Sequence, residues 1–196
     1  MTGFDEPEEG PRHSLPQEAV LSRMLGIRTI LVSGEISQEV AERVISQALI
    51  LDAASHDPIR VMITSQGGHV DSGYAIYDVL RYLESPVITV GAGWVASIAV
   101  PILLAADKAQ RHSLPNTRFL LHQPSGGVGG QASDVRIAAK EILKLRERLN
   151  RLVSDETGNS FKQVSEDSDR NFWMSAPEAL EYGLVTKIIR RQSEIT

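Results

Sequence analysis

The chain has 196 residues and a mass of 21.5 kDa, enough for one well-filled core and too few for two ordinary domains. The absence of cysteine excludes disulfides, thiolate catalysis and every cysteine-based zinc site. A net charge of -5 leaves no basic surplus to hold nucleic acid. The longest apolar stretch, Val95 to Ala106, contains Ser97 and Pro101. At 12 residues it is a buried element rather than a membrane span, which needs roughly 20 residues.

The first 17 residues carry four acids, two glycines and three prolines, a composition that opposes packing. Residues 1–17 are expected to form a flexible acidic tail and 18–196 a single domain. The tail has no apolar core to act as a secretory signal, so a cytoplasmic protein is expected.

From Thr29 the pattern becomes regular. Thr29 to Val32 reads as a short β-branched strand stopped by Ser33-Gly34. Ser37 then caps an amphipathic helix whose apolar positions include Val40, Ala41, Val44, Ile45, Ala48 and Leu51. Ile59 to Ile63 is a second strand, ended by Ser65-Gln66-Gly67-Gly68; a helix follows and stops before Pro86. Val87 to Val90 is a third strand, giving way to Gly91-Ala92-Gly93 and a helix that starts near Ser97. This alternation predicts an α/β domain with a mainly parallel sheet, in which sites form where loops leave the carboxyl ends of strands.

Arg118 to His122 reads as another strand and Gln123 to Gly130 as an extended, flexible stretch. The longest helix follows, about Ala132 to Glu156, with Val135, Ala139, Ile142, Leu145, Leu149 and Leu152 on one face. Such a helix either projects as an arm that needs a partner or packs back on its own domain; periodicity alone allows both.

Without cysteine or metal-ligand spacing, a hydrolase must use Ser, Thr or Lys as nucleophile, or two carboxylates. The five histidines (His13, His56, His69, His112, His122) include no pair suited to a metal. Ser97 lies at a strand-to-helix passage among small neighbours, where amides at the helix start would stabilise an oxyanion; on these residues alone a plain N-cap is the commoner role. His122 ends an apolar strand, the place for a general base or for a satisfied structural histidine. Gly67-Gly68 suits a turn, or a loop whose N–H comes very close to a bound carbonyl.

Together these features resemble the ClpP family, the proteolytic subunits of ATP-dependent Clp proteases. The resemblance runs from about Leu21 to Ile189. Its motifs are Ser65-Gln66-Gly67-Gly68 with Gly73 to Asp78; Gly93-Trp94-Val95-Ala96-Ser97; Leu114 to Arg118; His122-Gln123-Pro124; Gly129 to Asp134; and Ser175 to Leu184. The resemblance implies a ClpP/crotonase-like fold with a strand-helix handle at about 123–156. It also implies heptameric rings stacked into a tetradecamer. It makes Ser97 the nucleophile and His122 the general base of a serine endopeptidase, with Gly68 and Ile98 supplying the oxyanion-hole N–H groups. No cofactor is expected in this chain; ATP would be used by a partner AAA+ Clp ATPase that delivers unfolded polypeptides. Neither nucleic acid nor membrane is an expected partner.

Three departures from the family pattern bear on activity. The triad acid position holds Asn171, which can orient an imidazole but supplies no charge; the corresponding Asp-to-Asn change in a serine protease costs ~10⁴ in rate. Gln66 replaces a proline, which should loosen the loop before Gly67. Asp169-Arg170 matches the pair used between rings. The positions that dock the ATPase appear as Arg60, Met62, Tyr82 and His112, a more polar set than usual. A weak or assembly-dependent peptidase is therefore expected, in homo-oligomeric rings or mixed with a ClpP paralogue. The alternatives are a catalytically silent ring subunit that shapes or activates such a paralogue and, from the shared fold, a crotonase-type acyl-CoA enzyme.

Overall fold

The computed structural model describes residues 17–124 and 129–195. The expected acidic tail therefore lies almost wholly outside the described residues, as does part of the expected handle strand.

The helix α1 (Gln17–Gly26) leads into β1 (Thr29–Ile36), α2 (Gln38–Ala54), β2 (Ile59–Gly68), α3 (Val70–Tyr82) and β3 (Val87–Ala96). These are followed by α4 (Ala99–Leu104), β4 (Arg111–Ser113), β5 (Arg118–Leu121), α5 (Ala132–Thr157), α6 (Phe161–Asp167), β6 (Phe172–Ser175), α7 (Ala176–Tyr182) and β7 (Lys187–Ile188). The sheet runs β1-β2-β3-β4-β7, all parallel; β5 joins β3 in parallel and carries β6 antiparallel on its other side. The expected α/β fold with a mainly parallel sheet is what forms.

Three strands are longer than their sequence signals. β1 does not stop at Ser33-Gly34 but crosses an irregularity there, with Gly34 at φ 75°, and pairs on to Ile36 against Gly68. β2 continues through Ser65-Gln66-Gly67-Gly68. β3 runs through Gly91-Ala92-Gly93 and changes partner along its length: Thr89 to Gly91 pair with β4, and Trp94 to Ala96 pair with β5. Conversely, the strand from Arg118 ends at Leu121, one residue short of His122.

Ser37 caps α2 as expected, its hydroxyl accepting from the Val40 N–H at 3.2 Å. Beyond the other end of α2, Arg28 donates to Leu51 O (2.9 Å), Ser55 O (2.9 Å) and Asp57 O (2.6 Å), tying the helix end to the turn that leads into β2. Nearby, hydrogen bonds from the Ser85 hydroxyl and N–H hold the Asp52 carboxyl down to about 2.

The long helix divides in two. Leu149, Asn150, Val153 and Thr157 are buried against the domain, whereas Val135, Ile137 and Leu143 stand exposed, the last two at 58% and 61%. The first half of α5 thus projects and only the second half packs, so each of the two sequence readings holds for part of the helix. The packed end is fixed by Arg111, 1% exposed, which donates to Ala106 O (2.8 Å) and Glu156 O (3.1 Å) and pairs with the Glu156 carboxylate. Breaking a buried pair by removing one partner strands the other's charge. Glu156→Ala should therefore lower stability by about 3 kcal/mol, measured by denaturant unfolding, without unwinding the exposed half of the helix.

Candidate active site

Strand pairing brings the three expected side chains to one end of the sheet. Ala96 pairs with Leu120, and the Ser97 N–H donates to Leu120 O at 3.0 Å, so Ser97 sits beside the exit of β5 where His122 follows. On the far side of β5, Leu121 pairs with Phe172. One step outward in that antiparallel register places His122 opposite Asn171. Ser97 and His122 are half-buried and Asn171 is exposed. Among the described residues no hydrogen bond joins the Ser97 hydroxyl, the His122 ring and the Asn171 amide; backbone register, not side-chain bonding, sets their proximity in the single chain.

Ser97 is not the N-cap of the following helix. That position falls to Ile98, which has no side-chain capping bond. Ser97 has φ 57°, a left-handed conformation that costs a non-glycine residue roughly 1–3 kcal/mol and clusters at functional turns. The strain turns the chain sharply between β3 and α4. Gly67 makes room: a Cβ there would lie 2.6 Å from Ser97 Cβ and 2.7 Å from Ala96 O.

Of the two expected oxyanion donors, Ile98 is 1% exposed, and its N–H finds no acceptor among the described residues. A buried N–H without a partner is rare, because an unpaired donor away from water is costly. Gly68, solvent-exposed at φ 154°, closes the end of β2 against Ile36, where any Cβ would overlap the β1 backbone. A serine hydroxyl, an imidazole and an open N–H at one end of a sheet are a combination suited to acyl transfer.

The loop before Gly67 is not loosened by the missing proline. With its amide oriented by the hydrogen-bond network, Gln66 donates from Nε2 to Gly34 O (3.1 Å) and accepts at Oε1 from the Glu35 N–H (3.1 Å). The Ser65 hydroxyl also donates to Gly34 O (2.5 Å) and accepts from the Gly67 N–H (3.0 Å). Side-chain hydrogen bonds to the β1 irregularity replace what a fixed φ would supply.

Asp169, expected to serve between rings, is here engaged within its own chain, with Arg146 at 3.0 Å. The expected docking positions divide. Arg60 and Met62 line a cavity of about 260 Å³ with Ile27, Val90, Leu114 and Ile195. Tyr82 is 78% exposed and His112 only 3%. His112 has neither ring nitrogen bonded, and burial followed by the Lys187 charge lowers its pKa. Neither Tyr82 nor His112 lines the cavity, whose charged rim is Arg60 with Arg190 and Arg191. Among the described residues no cluster of three or more His, Asp or Glu could hold a metal ion, and no helix is long and apolar enough to cross a membrane.

One residue that sequence reasoning left without a local role is Gly73. It packs α3 directly on Ile98, and a Cβ would overlap Ile98 Cγ1. Gly73→Ala adds a better helix former, worth ~1 kcal/mol, but displaces the residue that carries the free N–H. Peptide hydrolysis should fall about tenfold or more, while the melting temperature changes little.

The Clp protease family matches residues 13–192 of the chain. The ATP-dependent Clp protease proteolytic subunit 3 of Rhizobium meliloti (strain 1021) is 46% identical over 192 residues, covering 97% of this chain and 98% of that protein. Subunit 2 of Pseudomonas aeruginosa PAO1 is 44% identical over 195 residues, covering 100% and 97%. Among solved structures, an asparagine-to-aspartate mutant of ClpP1 from Listeria monocytogenes superposes with a TM-score of 0.84 at 46% identity, covering 90% of this chain and 99% of that one. With the fold and nearly the whole length in agreement, the chain belongs to the Clp protease family.

Proposed function

We propose that the chain is a serine endopeptidase subunit of an ATP-dependent Clp protease in which Ser97, His122 and Asn171 carry the reaction. The observation that supports this most strongly is the strained Ser97 turn seated beside the exit of β5, next to an unpartnered Ile98 N–H. Ser97 Oγ attacks the scissile carbonyl as its proton passes to His122. The Gly68 and Ile98 N–H groups receive the oxyanion, and His122 returns the proton to the leaving amine. Water then releases the acyl group by the same steps.

Asn171 orients His122 through its amide oxygen. It contributes no charge to stabilise the imidazolium, so turnover is slow and depends on geometry. The exposed apolar residues of α5 favour assembly, with heptameric rings meeting through this arm into a tetradecamer, alone or with a ClpP paralogue. An AAA+ ATPase would feed unfolded polypeptides to the chamber, docking at the cavity that Arg60 and Met62 line. A cytoplasmic location fits this role.

The experiment is a pair of substitutions assayed on a fluorogenic peptide in the assembled particle. Asn171→Asp should raise kcat by about tenfold or more, and Ser97→Ala should abolish it. Undiminished hydrolysis by Ser97→Ala would refute the assignment. Neither substitution having any effect, with no turnover in either background, would favour the silent subunit.

A further inference from the structure

The segment that delivers Asn171 is held from outside the proposed triad, by the base of the projecting helix. Ser168, 3% exposed, donates to Asn150 Oδ1 at 3.0 Å, and Asn150, itself 2% exposed, donates to Ser165 Oγ at 3.2 Å. One turn earlier on the same face of α5, Arg146 donates to the Asp169 carboxylate at 3.0 Å. On its other side Asp169 accepts, at its backbone oxygen, from Gln123 Nε2 at 2.9 Å. Gln123 is the residue after His122, and Asp169 lies two residues before Asn171. A single residue thus links α5, the exit of β5 and the approach to β6.

We infer that Arg146 is a positioning residue that, through Asp169 and Gln123, sets Asn171 against His122. The inference rests on the peptidase reading above.

The chemistry makes this placement matter more here than in an enzyme with an acidic residue. A carboxylate attracts an imidazolium over a range of orientations. A carboxamide helps only when its oxygen faces Nδ1–H; the NH₂ end in that place would enforce the opposite tautomer. Asn171 has no charge to steer itself and is exposed, so its orientation must come from the backbone on either side. Phe172 pairs with Leu121 on one side, and on the other side the fixed points are Ser168 and Asp169. An exposed ion pair adds little to stability; the consequence of losing this one should be seen in turnover.

The test compares Arg146→Ala and Arg146→Lys in the full-length particle, with particle mass followed by native mass spectrometry. Arg146→Ala should lower kcat about tenfold with KM changed by less than about twofold. Lysine, which still reaches the carboxylate as a point charge, should restore about half or more of it. In the Asn171→Asp background the loss should shrink to about threefold or less, because a charged partner orients the ring itself. Amide exchange over residues 169–173 should be faster in Arg146→Ala and near wild type in Arg146→Lys, a readout that does not need turnover. If the wild type is inactive while exchange follows this pattern, the positioning role stands and the peptidase reading falls. Wild-type kcat and exchange in Arg146→Ala would overturn the inference, as would a loss that lysine does not rescue or that only tracks a fall in particle mass.

Discussion

The whole arrangement depends on the pairing of one short strand. β5 has four residues, yet it is bonded to β3 on one side and β6 on the other. A one-residue slip on either side would reverse which faces its neighbours present. Phe119 and Leu121 lie buried in the core, and this pins the register hydrophobically. With the register fixed, residues 97, 122 and 171 fall at one end of three adjacent strands, although 74 residues of sequence separate the first from the last. The sheet acts as a jig: its ladder fixes where the backbone presents the three residues.

Around that jig, several close approaches leave no room for error. Gly67 against Ser97, Gly68 against Ile36 and Gly73 against Ile98 are contacts in which a methyl group would displace backbone or a buried side chain. They surround the left-handed turn at Ser97, so the cost of its strain is borne by packing on several sides. The Ile98 N–H, without an acceptor among the described residues, belongs to the same turn. Strain and an open donor are both unfavourable in isolation, and their coincidence at one turn supports the proposed role in receiving a carbonyl oxygen.

Much of this was legible in the sequence, and the failures have physical causes. Helix starts such as Ser37 and the helical stripe from Val135 to Leu152 were readable because capping and periodicity are local. The glycine-rich loops identified the strand ends as the region of interest, but not their extent. Ser65 to Gly68 and Gly91 to Ala96 are strand because partners exist for them, and pairing is a tertiary property that composition cannot display. β4 and β7, three and two residues long, carry no periodic signal at all. The compensation at Gln66 was hidden for a similar reason: its partners, Gly34 and Glu35, lie thirty residues away on a bulged strand whose continuation had no signal. Arg146 carried no signal in the sequence; only the fold brings Asp169 to it.

The most direct measurement is covalent labelling by a fluorophosphonate of particles whose mass is determined in the same preparation. Modification of Ser97 alone in the assembled ring, and much slower modification of dissociated chains, is the result this account predicts. An assembled particle, with its partner ring and ATPase present, whose Ser97 remains unmodified would contradict it.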